Sequence, residues 1–343
     1  MSDFDKASAG ASRAEKPRFR WGKWLGLAFS LLFLYLAFRG LNWKALAKAL
    51  AGVEIQLLLL GLIIYLASYI LRGLRWRLML LNIKPIALGK ITKFLIIGFM
   101  CNNVLPARLG EFARALIIAQ GEKISARSAF ASVVMERVFD GVAVLALLLA
   151  LLLYHPFPGW VKKMGVAAAA FFFLLFILLL FLGHKGEVWM EKLKGWSQGL
   201  PGKVAGFMLK FIYGLQMLRS LRLTLAVLFL SLLVWVMEVS NYFVLMRSLS
   251  LALPITAAAF TLVVVNLGIM IPSSPGFVGT LQYFCVLALA VYSIPKDIAL
   301  AYSLILHAVI FVPITALGLI FLSQSGISLK TLKASKSLAP SQE

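Results

Sequence analysis

Long apolar runs set the first limit on how this chain can fold. Runs near twenty residues occur at 21–39, 54–71, 128–153, 164–182, 223–246 and 297–322. About 20 apolar residues in a helix cross a hydrocarbon core of about 30 Å. Because the chain is 62% hydrophobic and only 14% charged, little of it is suited to face water. The runs predict an all-α, polytopic membrane protein with six spanning helices.

Basic residues lie between these apolar runs and predict the orientation of the chain. The formal net charge of +21 would favour nucleic acid as a partner of a soluble chain, but here the charge follows the loops of a membrane protein. The positive-inside rule places three segments in the cytosol: a basic disordered tail at 1–20, an amphipathic segment at 184–222 and a tail at 324–343. We expect a protein of the cytoplasmic (inner) membrane with both termini in the cytosol and no nucleic-acid partner.

A short basic segment follows the second apolar run. Arg72, Arg75 and Arg77 surround Trp76, a pattern typical of anchors at the membrane surface and of contacts with anionic lipids. We expect these residues to act as interfacial anchors.

Two further apolar segments are interrupted by proline and glycine. The first break contains Pro106 and Gly110, and the second contains Pro272 and Gly276. Both pairs are separated by the same offset of 166 residues (272 − 106 and 276 − 110). That offset also carries 54–71 onto 220–237 and 128–153 onto 294–319. We interpret the transmembrane domain, 21–323, as two halves at 21–153 and 164–322.

Each interrupted segment is predicted to return to the face from which it came. Arg114, Lys123 and Arg127 follow the first break, and a full crossing would place this basic stretch outside. We expect two broken re-entrant hairpins that come from opposite faces, so the halves form an inverted repeat. Paired breaks of this kind indicate the binding site of a transporter. Ordinary proline-kinked spans with two more crossings are the alternative.

The first break supplies the first candidate site residues, because polar and charged groups at membrane depth are costly unless they have a function. Asn103, Arg108, Glu111 and Arg114 lie within twelve residues of one another. Arg108 is suited to hold a phosphate with its planar fork. Alternatively, Arg108 and Glu111 pair with each other, as Glu111 and Arg114 also can.

Charged residues in two helices extend the candidate site. Glu136 and Asp140 share one face of the helix 128–153, with Arg137 between them. Their repulsion requires compensation by Arg137, by an arginine of the first hairpin or by a bound proton. This arrangement suits a proton-coupled carrier or an ionic lock, and a structural salt bridge is the alternative.

Another acid, Glu238, is alone in its helix, 223–246. Arg137 and Arg108 are its candidate partners, and the sequence does not choose between them.

The second break is polar without charge. Its candidate binding residues are Pro272, Ser274, Gly276, Gly279 and Gln282. Unpaired backbone groups in such a break can coordinate an ion or a headgroup, and a plain flexible loop is the alternative.

His307, in the last helix, is expected to be hydrogen-bonded between helices rather than to shuttle protons.

The sequence contains no Walker A motif, no G-x-S-x-G and no H-E-x-x-H. Cys101 and Cys285 have no metal-ligand spacing around them. We expect no metal, no cofactor, no catalytic residue and no enzymatic activity. Any transport is then downhill, ion-coupled or driven by a partner.

Three motifs at these positions resemble a known family. They are Asn103-x-x-Pro106-x-Arg108-x-Gly110-Glu111-x-x-Arg114, Glu136-Arg137-x-x-Asp140 and Pro272-x-x-Pro275-Gly276-x-x-Gly279. Over roughly residues 20–325 the chain is similar to the flippase-like transmembrane domain of the lysylphosphatidylglycerol synthase family. The family often has an acidic residue where this chain has Gln282. The resemblance implies a stand-alone translocation domain without the soluble aminoacyltransferase domain.

Taken together, motifs and resemblance favour a flippase or transporter for an anionic or phosphate-bearing (glyco)lipid, with membrane lipids as its partners. One alternative is an intramembrane transferase that acts on a lipid headgroup, with Glu136 or Asp140 as its base. Another is a non-catalytic membrane subunit of a lipid or cell-envelope synthesis enzyme.

Overall fold

A computed structural model of the chain describes residues 21–105, 110–154, 159–185, 211–271 and 273–325, with the single residues 188 and 208. The tail predicted at 1–20, most of the segment predicted at 184–222 and the tail from residue 326 onward lie outside these ranges. Throughout the described ranges the secondary structure is helical, without strands, which confirms the predicted all-α class.

Eleven α-helices are formed by the described residues, numbered in chain order. They are α1 Trp21–Phe38, α2 Trp43–Ala51, α3 Ile55–Leu80, α4 Leu88–Val104, α5 Gly110–Glu122, α6 Ala126–Tyr154, α7 Gly159–His184, α8 Leu221–Ser248, α9 Ile255–Gly268, α10 Thr280–Ala290 and α11 Lys296–Gln324. Short 3-10 turns at Gln216–Arg219 and Pro275–Phe277 precede α8 and α10.

Local chemistry fixes several helix starts. The Asn42 side chain accepts a hydrogen bond from the Ala45 amide at the start of α2, and the Ser220 side chain does the same for the Leu223 amide at the start of α8. Pro254 and Pro295 stand immediately before α9 and α11, where the missing amide hydrogen costs nothing because the first amides of a helix have no internal partner.

Four helices of the described ranges are long and apolar enough to cross a membrane: α3, residues Gly165–His184 of α7, α8 and α11. They coincide with four of the six predicted spans. The helix α6 is 29 residues long, about 43 Å at about 1.5 Å per residue, but its first half carries Glu136, Arg137 and Asp140.

Two helical hairpins pack between the long helices. In the first, Gly110 of α5 lies against Asn102 of α4 so closely that a β-carbon at residue 110 would collide with the Asn102 backbone. In the second, Gly268 of α9 lies against the Phe284 ring of α10. The four helices contain 17, 13, 14 and 11 residues, which gives lengths of about 26, 20, 21 and 17 Å. Each is therefore shorter than a hydrocarbon core of about 30 Å.

The series α3–α6 is repeated by α8–α11. Helix α8 begins 166 residues after α3 (221 − 55), and α11 begins 170 residues after α6 (296 − 126). The offsets of the two intervening helices are 167 (255 − 88) and 170 (280 − 110).

Helices α3 and α8 pack against each other in antiparallel orientation. Three contacts run in opposite directions along the two helices: Gly61 lies against Leu245, Ser68 donates to Glu238, and Arg75 donates to Ser231. This pair of corresponding helices therefore packs side by side in opposite directions.

Candidate functional site: a buried ion cluster beside a central cavity

Eight charged side chains lie in the interior as a network of six around Glu136 and a separate pair, Arg72 with Glu238, and we call the eight together the ion cluster. Its members are Arg72, Arg75, Glu111, Arg114, Glu136, Arg137, Asp140 and Glu238. They come from α3, α5, α6 and α8, so the cluster ties the first hairpin to the long helices of both halves. Four arginines face four carboxylates, and the formal charges of the described cluster sum to zero.

Glu136 is the hub of the ion cluster and is fully buried. Its carboxylate lies 2.8 Å from Arg114 Nη2, 2.7 Å from Arg137 Nη2 and 3.2 Å from Arg75 Nη2. These arginines belong to three different helices, α5, α6 and α3. Such extensive pairing compensates the cost of burying a carboxylate.

Asp140 connects the ion cluster to the second half. Arg75 Nη1 lies 2.5 Å from Asp140 Oδ1, and the indole nitrogen of Trp235 donates to the same oxygen over 3.1 Å. Arg75 also donates to Ser231 Oγ over 3.0 Å. Because Ser231 and Trp235 belong to α8, a single carboxylate and its arginine hold α3, α6 and α8 together.

Arg72 and Glu238 form the buried ion pair that joins α3 to α8. Arg72 Nη2 and Glu238 Oε1 are 2.7 Å apart, and the two positions differ by 166 residues. Both side chains are more than nine-tenths buried. The same Glu238 oxygen accepts a hydrogen bond from Ser68, whereas Arg72 Nε has no hydrogen-bond partner among the described residues.

A cavity of about 160 Å³ opens beside this pair. It is lined by both hairpins and by α3, α8 and α11. Four pairs of lining residues are related by the offset of 166: Tyr69 with Trp235, Arg72 with Glu238, Phe99 with Val265, and Asn103 with Ile269. The central cavity therefore lies where equivalent positions of the two halves face each other.

Hydrogen bonds join the cavity walls. The hydroxyls of Tyr65 and Tyr69 are 3.0 Å apart, and Tyr65 also donates to the Ile310 carbonyl over 3.0 Å. Asn103 Nδ2 donates to Thr315 Oγ1 over 2.9 Å. These bonds connect α3 and α4 of the first half to α11 of the second.

The turn of the second hairpin is held by neutral groups. Gly276 and Gly279 have φ values of 71° and 86°, in the left-handed region that glycine adopts at no steric cost. Gln282 Oε1 accepts from the Gly279 amide over 2.8 Å, and Gln282 Nε2 lies 2.8 Å from His307 Nδ1. Since His307 belongs to α11, this contact is the interhelical hydrogen bond predicted for it.

The comparison with known families identifies the chain. A family model described as the lysylphosphatidylglycerol synthase TM region matches residues 23–318 of 343. The chain belongs to this family. No curated protein and no solved structure matches the chain.

Family membership confirms the resemblance found in the sequence motifs and makes this a multi-pass membrane protein of a family linked to lipid-related membrane function. All the candidate site residues lie within the matched range.

The structure brings most of the predicted site residues of this family member together. Glu111, Arg114, Glu136, Arg137, Asp140 and Glu238 are in the ion cluster, Asn103 and Gly276 line the central cavity, and Gly279 and Gln282 form the turn beside it. Ser274 lies on the same turn, where its amide donates to Ser30 Oγ over 2.7 Å. Arg108 and Pro272 lie outside the described residues.

Two expectations about pairing are corrected. Glu238 pairs with Arg72, which was not predicted, rather than with Arg137, and the other predicted candidate, Arg108, lies outside the described residues. Glu111 is 3.7 Å from Arg137, at the partly exposed edge of the cluster, rather than paired with Arg114.

The expected role of the basic segment after the second apolar run is also wrong for three of its residues. Arg72, Arg75 and Trp76 are buried, because α3 continues through them to Leu80. The arginines lower the local hydropathy, so the apolar run ends at residue 71 although the helix does not. Helical spacing was the missed signal, since residues 61, 65, 68, 72, 75 and 79 form one buried stripe.

Proposed function

We propose that this protein moves a lipid between the leaflets of the cytoplasmic membrane and that the headgroup passes through the central cavity. The observation that carries this proposal is the position of the cavity, which lies between two broken hairpins and is lined by equivalent residues of the two halves. Sites at the interface of structural repeats, built from interrupted helices, are typical of transporters that alternate between two faces. No enzymatic activity is part of the proposal.

The proposed architecture has six spanning helices and two re-entrant hairpins in an inverted repeat, with both termini in the cytosol. Two observations support it: equivalent helices α3 and α8 are antiparallel, and the hairpin helices are too short to cross. The topology is tested by labelling a cysteine placed at Lys123, which precedes α6. Labelling from the cytosolic side agrees with the hairpin, and labelling from outside contradicts it.

Charge balance changes what the described residues indicate about the headgroup. Arg114, which was predicted to help hold an anion, is bound by Glu136, and Arg72 is bound by Glu238. The described ion cluster has no excess positive charge, so the predicted preference for an anionic or phosphate-bearing lipid now depends on Arg108. We propose that the cluster instead holds the first hairpin in place and exchanges partners when the cavity changes side.

Burial of the carboxylates supports transport over headgroup transfer. A general base must reach the proton that it abstracts. Glu136 is fully buried behind three arginines, and Asp140 accepts from both Arg75 and Trp235. Both carboxylates that the transferase alternative requires are therefore occupied by structural partners.

Transport is tested in proteoliposomes that contain fluorescent phosphatidylglycerol or fluorescent glucosyldiacylglycerol, with a membrane-impermeant quencher outside. Wild-type protein should expose inner-leaflet probe that empty vesicles retain, and the lipid mass should not change. The double variant R72Q/E238Q removes both charges without leaving either unpaired. It should slow movement about tenfold or more, which corresponds to about 1.4 kcal/mol in the barrier.

Arg77→Gln is the matched control, since Arg77 lies on the same helix outside the ion cluster. It should retain the wild-type rate. Absence of movement for both probes would contradict transport, and a change in lipid mass would favour the transferase.

A further inference from the structure

We propose that the central cavity binds an uncharged, polyhydroxylated headgroup, the sugar or polyol of a glycolipid. This inference rests on the proposed lipid transport and names the class of lipid. It is carried by three properties of the cavity: its aromatic side chains, its polar atoms that are free to accept hydrogen bonds, and its charge balance.

Aromatic side chains form a large part of the cavity wall. Tyr65, Tyr69, Phe99, Trp235 and Phe311 contribute to it from four helices, α3, α4, α8 and α11. The face of an aromatic ring is flat, apolar and weakly negative, so it packs well against the carbon-bound hydrogens on the face of a sugar ring. A cavity that bound only an acyl chain would need no polar groups among these rings.

Amide oxygens are available between the rings. Asn266 Nδ2 donates to the Leu262 carbonyl over 2.8 Å, and Asn103 Nδ2 donates to Thr315. Both amides line the cavity, and among the described residues neither oxygen accepts a hydrogen bond. Both side chains are thus oriented by a bond through nitrogen while the oxygen can accept from a ligand hydroxyl.

The Arg72–Glu238 pair adds charged groups of opposite sign to the cavity wall. Glu238 Oε1 takes the bonds from both Ser68 and Arg72, so the other oxygen of this carboxylate accepts no hydrogen bond among the described residues. A hydroxyl both donates and accepts, so a group with several hydroxyls can pair with the arginine, the carboxylate and the amides together.

Charge balance argues against a charged occupant. Arg72 and Glu238 are the charged side chains of the described cavity lining, and they neutralise each other. A phosphate attracted by Arg72 would be repelled by Glu238 beside it. An ammonium group attracted by Glu238 would likewise be repelled by Arg72. Neither ion recovers the cost of leaving water, whereas a neutral hydroxylated group has a much smaller cost to recover.

Size limits the occupant further. At about 10–15 Å³ per water molecule on the same measure of volume, the cavity of about 160 Å³ has room for roughly ten waters. This is suited to a headgroup on the scale of a single sugar ring.

Binding of defined lipids to the full-length protein tests the inference. The protein is reconstituted in phosphatidylcholine nanodiscs, so that no glycosidic detergent competes, and titrated with monoglucosyldiacylglycerol, phosphatidylglycerol or phosphatidylethanolamine of identical acyl chains. We expect the glucolipid to bind most tightly and soluble methyl glucoside to displace it. Tighter binding of phosphatidylglycerol or of phosphatidylethanolamine overturns the inference, as does failure of methyl glucoside to compete.

Asn266→Ala removes a proposed hydroxyl acceptor and should weaken glucolipid binding about fivefold, the factor of about one hydrogen bond. Ser240→Ala is the matched control, because Ser240 also bonds a carbonyl of its own helix but is only partly buried and does not line the cavity. Unchanged affinity in a folded Asn266→Ala variant overturns the assignment. If that variant does not fold, the methyl glucoside competition with wild-type protein decides.

Failure of the two proposals is distinguishable. Glucolipid that binds but does not change leaflets contradicts transport and leaves the sugar site standing. Movement of phosphatidylglycerol in preference to glucolipid leaves transport standing and overturns the sugar site.

Discussion

The two hairpins have the same arrangement of helices, but different interactions attach them to the rest of the protein. The first hairpin is attached through Arg114, which binds the buried carboxylate of Glu136 on α6. The second is attached through neutral contacts, with Gln282 bridging the Gly279 amide and His307. The two halves can therefore repeat the same backbone arrangement while different side-chain interactions stabilise it.

The difference has an energetic consequence. Separating an ion pair in the interior leaves unpaired charges, at a cost of about 3–5 kcal/mol, whereas losing a neutral hydrogen bond costs about 1–3 kcal/mol. The second hairpin is thus the easier of the two to detach, and we expect it to move first when the cavity changes side.

The largest expected effect comes from Glu136→Gln, which removes the charge that three arginines share. The free energy of unfolding should fall by about 3–5 kcal/mol, because buried arginine charge is left without its partner. Denaturant unfolding of the purified protein in detergent measures this.

Arg114→Gln in the Glu136→Gln background should recover part of the loss, because it removes one of the uncompensated cations. If Glu136→Gln lowers the free energy of unfolding no more than the neutral variant Gln282→Ala does, the two hairpins are held equally strongly.

A somewhat smaller effect is expected when the central pair is reversed. Arg72→Glu and Glu238→Arg alone each place like charges in contact and should destabilise the protein by about 3 kcal/mol. The double variant R72E/E238R restores opposite charges at the same two positions, which are equivalent in the repeat. It should recover at least half of the summed loss in the same unfolding measurement. Strictly additive losses would mean that the two residues do not interact.

The smallest of the three effects is expected at the second hairpin. Gln282→Ala removes the acceptor for the Gly279 amide and the contact to His307. The expected loss is about 1–2 kcal/mol of unfolding free energy, comparable to the loss of a helix cap. Hydrogen exchange of the amides in α10 should rise while that in α5 stays unchanged. Equal changes in both helices would remove the distinction between the hairpins.

Much of the fold follows from residue pattern alone. Apolar length predicts α3, α7, α8 and α11 as spans, and the offset between Pro106 and Pro272 predicts the repeated series of helices. These features are local or periodic, so hydropathy and spacing are sufficient to find them.

Part of the site could not be predicted because it depends on which helices touch. Hydropathy treats Arg72 and Arg75 as the end of a span, and only the packing of α3 on α6 and α8 supplies the carboxylates that make their burial tolerable. The aromatic wall of the cavity has the same origin. Within their own apolar helices, Tyr69 and Trp235 give no sign of a binding site. They line the same cavity because α3 packs on α8.

The antiparallel contact of α3 with α8 also limits how such a molecule can be assembled. Two identical copies of the first half, joined about the same axis, would set Arg72 against a second Arg72, and like charges repel at that distance. Opposite charges at the meeting point, 2.7 Å apart, require two different sequences. A symmetric dimer of one half would set a residue on its axis against its own copy, so this favourable contact needs two halves of different sequence in one chain.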